Sequence, residues 1–435
     1  MSLRAPAVLV VIVLLPLGRP AAQRLSGTDR QQLVTVLWSD ARSSFAGWAR
    51  VRADWDSALA ASLRAAAPPQ PDLTFYRRLR RLVALLDDGH AQVVPPPALR
   101  SRVARPPLLI ASVERRPFVL DYAENDEMRV ARPERLAEIL AVQGIPAESW
   151  ITDSILPETG AATPEARWGR AVAAMLEGEK GTALHLLLRL PGGEQRGISV
   201  TRSVSLNDRW PLEPPTLQVD SLTDGIVVVR INALADPDVV QRFDHAFPTF
   251  ATVRGLIVDL RGTAGGRPDY AYQTLARLTT GPFPTVLHRT PDYRPGLRVL
   301  GRPDSAATWY TVPPDTVVPR KERPAYTGPI AVLSSAGTAG AAEDFLAAFR
   351  NTSRGVIIGA ASAGSPGEPL ELSLPNGWTF RLSATREAFP DGTDFSGVGI
   401  APELSTSKTV SDLLEGRDPT LERARAYVGA GARQE

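Results

Sequence analysis

Three short runs in the chain carry residue types and spacings suited to chemistry. The first, Asp259-Leu260-Arg261-Gly262-Thr263-Ala264-Gly265-Gly266, stands between a strand-like apolar run and a helix-like segment. Its glycines let a backbone approach a ligand closely and leave N–H groups to meet an anion or an oxyanion. An ordinary strand-to-helix turn reads the same way, and alone the run does not separate the two. The second, Ser334-Ser335-Ala336-Gly337-Thr338-Ala339-Gly340-Ala341-Ala342-Glu343-Asp344-Phe345, ends another apolar run, turns on small residues and opens a helix near Thr338. A residue there would feel the positive end of the helix dipole, and its small neighbours would admit a substrate. Small residues also serve tight packing. The third is Asp87-Asp88-Gly89-His90. A lone histidine after a helix is more often structural or exposed than catalytic. It gains weight only where the fold carries it to the second run.

The elements that must position these runs can be read from periodicity. Residues 24–100 read as helical: Val51, Trp55, Leu59 and Leu63 recur every four residues, and Phe75, Leu79, Leu82, Val83 and Leu86 trace another stripe. Asp88-Gly89 and the prolines at 95–97 stop the pattern. Residues 105–205 read as short strands around one helix at 165–176, with a hairpin formed by 182–190 and 197–202. A proline-rich stretch, 211–215, reads as a linker. From 216 to 415, apolar strands at 224–231, 254–260, 328–335 and 354–360 alternate with helices, which predicts an α/β layered core. The tail 416–435 is expected to fray from Gly429 onward.

Composition excludes several chemistries. The 435 residues contain no cysteine, which removes disulfides, thiol nucleophiles and cysteine metal sites together. The four histidines, His90, His185, His245 and His288, include no pair at metal-ligand spacing, so neither a metal nor a cofactor is expected. The net charge of +2 is accounted for by Arg4 and Arg19, both in the first 22 residues, so no nucleic-acid partner is expected. Residues 1–22 combine a basic start, an apolar run from Ala5 to Leu17 and small residues at Ala21 and Ala22. That is the pattern of a secretory signal peptide, with an uncleaved anchor as the alternative; the run is short for a span, and none is expected after it. The mature chain is expected in a periplasmic or extracellular compartment.

Taken together, the runs resemble the tail-specific (C-terminal-processing) serine peptidases, in particular the branch of the tricorn protease core and the retinoid-binding interphotoreceptor modules. Asp88-Gly89-His90 is similar to that family's Asp-Gly-His-Thr, with Ala91 in place of the threonine. The 259–266 run is similar to its Asp-Leu-Arg-Asn-x-Gly-Gly, and Gly337–Phe345 to its Gly-Thr-Ala-Ser-Ala-Ala-Glu-Asp-Phe. Phe389-Pro390-Asp391-Gly392 and Gly397–Glu403 are similar to the family's closing motifs. The resemblance implies an α/β fold with a crotonase-like (ClpP/crotonase-type) peptidase core at 211–415, preceded by the helical region 24–100 and a PDZ-like domain at 105–205. It also implies a peptide or unfolded-protein substrate.

Carried over by position, the resemblance makes His90 the general base and the amides of Gly265 and Ala341 the oxyanion hole. Gly266, Thr338, Gly364 and Ser365 would line the binding site. The nucleophilic serine falls on residue 340, which is glycine. The lysine base of the family's other branch falls at Ser365, and no lysine lies between Lys321 and Lys408. The acid supporting the histidine falls near Ser396, with Asp394 as a neighbouring substitute. Covalent catalysis needs an attacking atom, and a triad without one retains only ~10³–10⁴-fold catalysis over water. Three readings follow: a relative that binds peptide segments without turnover; a hydroxyl displaced to Ser334, Ser335, Thr338, Ser362 or Ser365; or a holder of a small apolar ligand. Because the flanking motif is intact, Gly340→Ser is expected to restore the missing atom. No Gly-Leu-Gly-Phe-like loop stands between Arg105 and Val130, so the PDZ-like region reads equally as a structural remnant packed over the cleft.

Overall fold

In the computed structural model, residues 25–302 and 307–431 are described; the leader expected at 1–22 lies outside them. The central sheet has six strands in the order Leu217–Ser221, Ile226–Ile231, Gly255–Asp259, Ile330–Ser334, Gly355–Gly359 and Leu404–Ser405. Only the first pair is antiparallel. The strands read as continuous apolar runs because both faces are covered. Val227, Val229, Leu256, Val258, Ile330 and Val332 face helices Val239–Ala246, Pro268–Leu275 and Ala341–Thr352. The alternate residues Ile226, Val228, Ile257, Ala331 and Leu333 face Ala424 and Val428. Each of these valines, leucines and isoleucines contributes roughly 1.5–3 kcal/mol when fully buried.

Of the tail at 416–435, expected to fray from Gly429, the described part stays ordered to Gly431. Residues Pro419–Gly431 form a helix that closes the second face of the sheet. Ala424 and Val428, four residues apart, are wholly buried there, and that i, i+4 pair holds the helix down.

A second sheet, Leu108–Val113, Arg116–Tyr122, Glu138–Val142, Ala183–Arg189 and Gln195–Thr201, is antiparallel and packs on helix Pro164–Ala174. Its hairpin strands alternate buried and exposed residues, as a sheet with one wet face requires. The N-terminal helices Gly27–Ser44, Trp55–Ala66 and Asp72–Ala84 do not build a core alone. They share one with Trp378, Phe380 and Leu382, from a hairpin more than 300 residues further along the chain from the first of these helices. The reason lies in backbone pairing. Strand Gln92–Val94 pairs antiparallel with Thr379–Leu382, Gln92 opposite Arg381. The loops running on from that pairing bring His90 beside Ser383.

Candidate active site

His90 follows helix Asp72–Ala84 and is held by the hairpin it pairs with. Its Nδ1 lies 3.1 Å from Ser383 Oγ. Ser383 donates its hydroxyl proton to Asp88 Oδ1 at 2.7 Å and its N–H to Asp88 Oδ2 at 2.9 Å. A hydroxyl has one proton, so Ser383 Oγ must accept from His90, which fixes the Nδ1–H tautomer and leaves Nε2 as the basic atom. Burial holds the His90 pKa below its usual value; the Asp88 charge opposes this, while Arg170 and Arg381 reinforce it. Burial thus favours the neutral imidazole, the form that general-base chemistry requires.

The orienting acid is a correction. Ser396 is engaged with the backbone of Glu387, and Asp394 pairs with Arg386 at 2.9 Å. Neither bonds to His90. The acid that is linked to the His90 ring is Asp88, through Ser383. Sequence reasoning quoted Asp88 as a motif residue without giving it this link. It missed Ser383, whose only signal was a strand pairing that no local pattern encodes.

The second run meets the third, Asp87–His90, through Ser365. Gly89 packs on Ser365, and a Cβ built on Gly89 would meet Ser365 Oγ at 1.8 Å. The Ser365 carbonyl accepts the Gly340 N–H at 2.8 Å. The fold thus brings His90, Ser365 and Gly340 into one neighbourhood. Helix Ala341–Thr352 begins directly after Gly340, whose φ is +62° and ψ −136°. Side chains rarely tolerate that conformation. A Cβ at 340 would lie 2.7 Å from Gly265 Cα and 2.9 Å from Gly265 N. The space a serine needs is occupied by backbone. The expectation that Gly340→Ser simply restores an atom is therefore corrected.

The oxyanion positions differ from expectation in one respect. The Gly265 N–H is spent on the Ala339 carbonyl at 3.1 Å, because Ala264 and Ala339 form a β-bridge that draws the two loops together. Gly266 sits at φ +105°, where a Cβ would run into the Leu234 backbone at 2.4 Å. Ala341 is fully buried at the helix N-terminus. Ala339 and Ala363 are in turn covered by Ala161 and Ala166 of the antiparallel domain.

The displaced-hydroxyl candidates separate cleanly. Ser334 donates to the Ala360 carbonyl, Ser335 to the Arg261 carbonyl and Thr338 to the Leu260 carbonyl. Ser362 donates to Glu343 at 2.5 Å. Each serves the turn it sits in. Ser365 Oγ alone of the five has no partner, and it is buried. Gly364, at φ +73°, lets the 397–399 loop approach, since a Cβ there would meet the Gly399 N at 2.9 Å.

Three acids beneath the site were not assigned roles from sequence. Glu343 is wholly buried and accepts from Ser362 Oγ, Gly364 N and Ser365 N, which fixes the 362–365 loop. Burial pushes its carboxyl up to about 7. Asp344 accepts from Tyr272 at 3.0 Å, and burial raises it well above the carboxylate range. Burial takes Glu387 to about 8. Among the described residues no cluster of His, Cys, Asp and Glu could hold a metal ion. No described helix is long and apolar enough to cross a membrane.

Residues 225–406 match the model of peptidase family S41. The carboxy-terminal processing protease CtpA of Bacillus subtilis (strain 168) is 26% identical over 279 residues, covering 62% of this chain and 54% of that protein. The chain thus matches about half the length of this relative. Mature CPAF complexed with lactacystin shares the fold at a TM-score of 0.74 and 16% identity, over 94% of this chain and 99% of that one. The photosystem II D1 C-terminal processing protease follows at 0.51 and 18%, over 93% and 98%. The match to peptidase family S41 is thus confined to residues 225–406, and over a longer stretch the chain is similar to tail-specific proteases.

Proposed function

We propose that this chain is an exported member of the tail-specific protease family that engages peptide segments without cleaving them through residue 340. One observation carries the reading: the place of the nucleophile is closed. Gly340 is buried, adopts a glycine backbone conformation and has the Gly265 backbone where a side chain would begin. A single lost hydroxyl in an otherwise open site would leave its space behind; here the neighbouring loop occupies it.

On this reading His90, oriented by Ser383 and Asp88, is the base half of an acyl-transfer site that lacks an attacking atom. The core is taken as crotonase-like and the antiparallel domain as PDZ-like. That domain acts as a cover more than as a peptide-capturing groove. Trp168 on its helix donates to Ser112 Oγ at 3.1 Å and carries Arg115 over its ring at 3.9 Å, which ties the helix to the first strand of the sheet. Export rests on the Arg4-to-Ala22 pattern; an intact N-terminus on protein recovered from outside the cytoplasm would count against leader cleavage.

A second reading is favoured by the partnerless Ser365 hydroxyl, which lies against Gly89. If Ser365 were the nucleophile, a fluorophosphonate probe would label it, and His90→Ala would abolish the labelling. The proposal expects no labelled serine, together with saturable binding of fluorescent peptides by anisotropy. Labelling of Ser365 would replace the first reading by the second.

A further inference from the structure

Beside the closed site lies an open cavity of about 390 Å³. Its walls come from helix Asp72–Ala84, the Gly89–Val93 segment, residues 158–160 and helix Pro164–Ala174. Its volume lies within the roughly 300–1,000 Å³ typical of small-ligand sites. Gly89 lines it, so an occupant would sit one residue from His90.

The charges around this cavity are unevenly matched. Arg80 pairs with Glu177 at 3.0 Å. Glu158 is held by both Arg77 and Arg81, at 2.9 and 3.0 Å. Arg170 has no carboxylate within ion-pair distance among the described residues. Its Nη1 donates only to the carbonyls of Gly89, at 2.6 Å, and Gly160, at 3.2 Å. Arg80 and Arg170 line the cavity with Glu158 and Glu177, and because Glu158 is already held by Arg77 and Arg81 from outside the lining and Glu177 by Arg80, Arg170 is the lining cation left unmatched. Desolvation by the surrounding walls draws the Arg170 pKa below the usual arginine value, although Asp88 and Glu343 oppose it. A planar cation with donors to spare is matched best by a planar carboxylate, which it can bind with two parallel hydrogen bonds.

We propose that this cavity is a carboxylate-binding subsite, in which Arg170 receives the carboxylate of a peptide, either its free C-terminus or an acidic side chain. The proposal rests on the reading that the chain engages peptides. The Gly89 and Gly160 carbonyls engage Nη1 alone, which leaves the other donors of the same guanidinium for the carboxylate. Because that guanidinium also holds the Gly89 carbonyl, the occupant would be tied to the segment that carries His90.

The test uses the full chain and three fluorescent hexapeptides of alanine and leucine: one with a free C-terminus, one amidated, and one amidated with an internal glutamate. Anisotropy titrations should show the free acid binding at least tenfold more tightly than the amide. Recovery with the glutamate peptide would assign the carboxylate to a side chain, and no recovery would assign it to the terminus. Arg170→Gln should bring the free acid to the level of the amide, with Arg170→Lys intermediate and circular dichroism confirming that both variants fold. Equal binding of all three peptides to the wild type overturns the subsite whatever the variants do, and leaves peptide engagement standing. A separate probe, N-acetyl-dialanine as acid or amide, is read by thermal shift. If no hexapeptide binds, peptide engagement fails, and this probe then decides the subsite. Stabilisation by the acid alone, lost in Arg170→Gln, supports it, and no shift with either form overturns it.

Discussion

Replacing Gly340 by serine tests whether the missing nucleophile is a single absent atom or a closed site. The new Cβ would start 2.7, 2.9 and 3.2 Å from three backbone atoms of Gly265, none of which can rotate away. The side chain would also have to accept φ +62° and ψ −136°. Backbone strain of this kind costs about 1–3 kcal/mol, and forced overpacking a further ~1–3 kcal/mol. The variant should therefore lose about 2–6 kcal/mol of stability. Gly340→Ala should lose a similar amount, because the cost belongs to Cβ and not to the hydroxyl. Relief requires the 263–266 and 337–340 loops to part, which breaks the bridge between Ala264 and Ala339 and the Gly265-to-Ala339 hydrogen bond. Thermal unfolding of both variants, followed by fluorophosphonate labelling of the serine form, is the assay. Unchanged stability together with rapid labelling dependent on His90 would refute the claim that this space has closed.

Two further outcomes follow from the same contacts. Ser383→Ala should remove the group that fixes the His90 proton, so nitrogen NMR of the imidazole should pass from the Nδ1–H tautomer to a mixture; an unchanged tautomer would show that Ser383 does not set it. Stability should fall as pH rises from about 5 to about 8.5. Glu343 and Glu387 have folded-state pKa values raised by burial, to about 7 and about 8, from 4.5. Their contribution is complete below the unfolded value and is lost as pH passes through the folded one. Glu387→Gln should flatten that slope in thermal melts, and a slope that is unchanged would remove Glu387 from the account.

Much of the fold could be read from the sequence because its strands are buried on both faces. Runs such as Leu256–Val258 and Ala331–Leu333 announce themselves by composition, and the glycine turns after them mark the site. Contacts set by long-range pairing were not legible. Ser383 meets His90 only because strand Gln92–Val94 pairs with Thr379–Leu382. Helices 27–84 looked independent because their partners Trp378 and Phe380 lie far along the chain. The substitution at 340 was plain from its motif. Whether it left a gap was not, since a Cβ clash depends on how two loops pack. The same holds for Glu343 and Asp344, which the motif preserves and only the fold shows to be buried beneath the 362–367 loop.

The most direct measurement incubates the purified chain with an unfolded polypeptide and counts new N-termini by mass spectrometry, beside an equilibrium binding titration of the same substrate. Saturable binding with no new termini above background is the predicted result. Termini that accumulate catalytically in the natural protein, and vanish in His90→Ala, would contradict it.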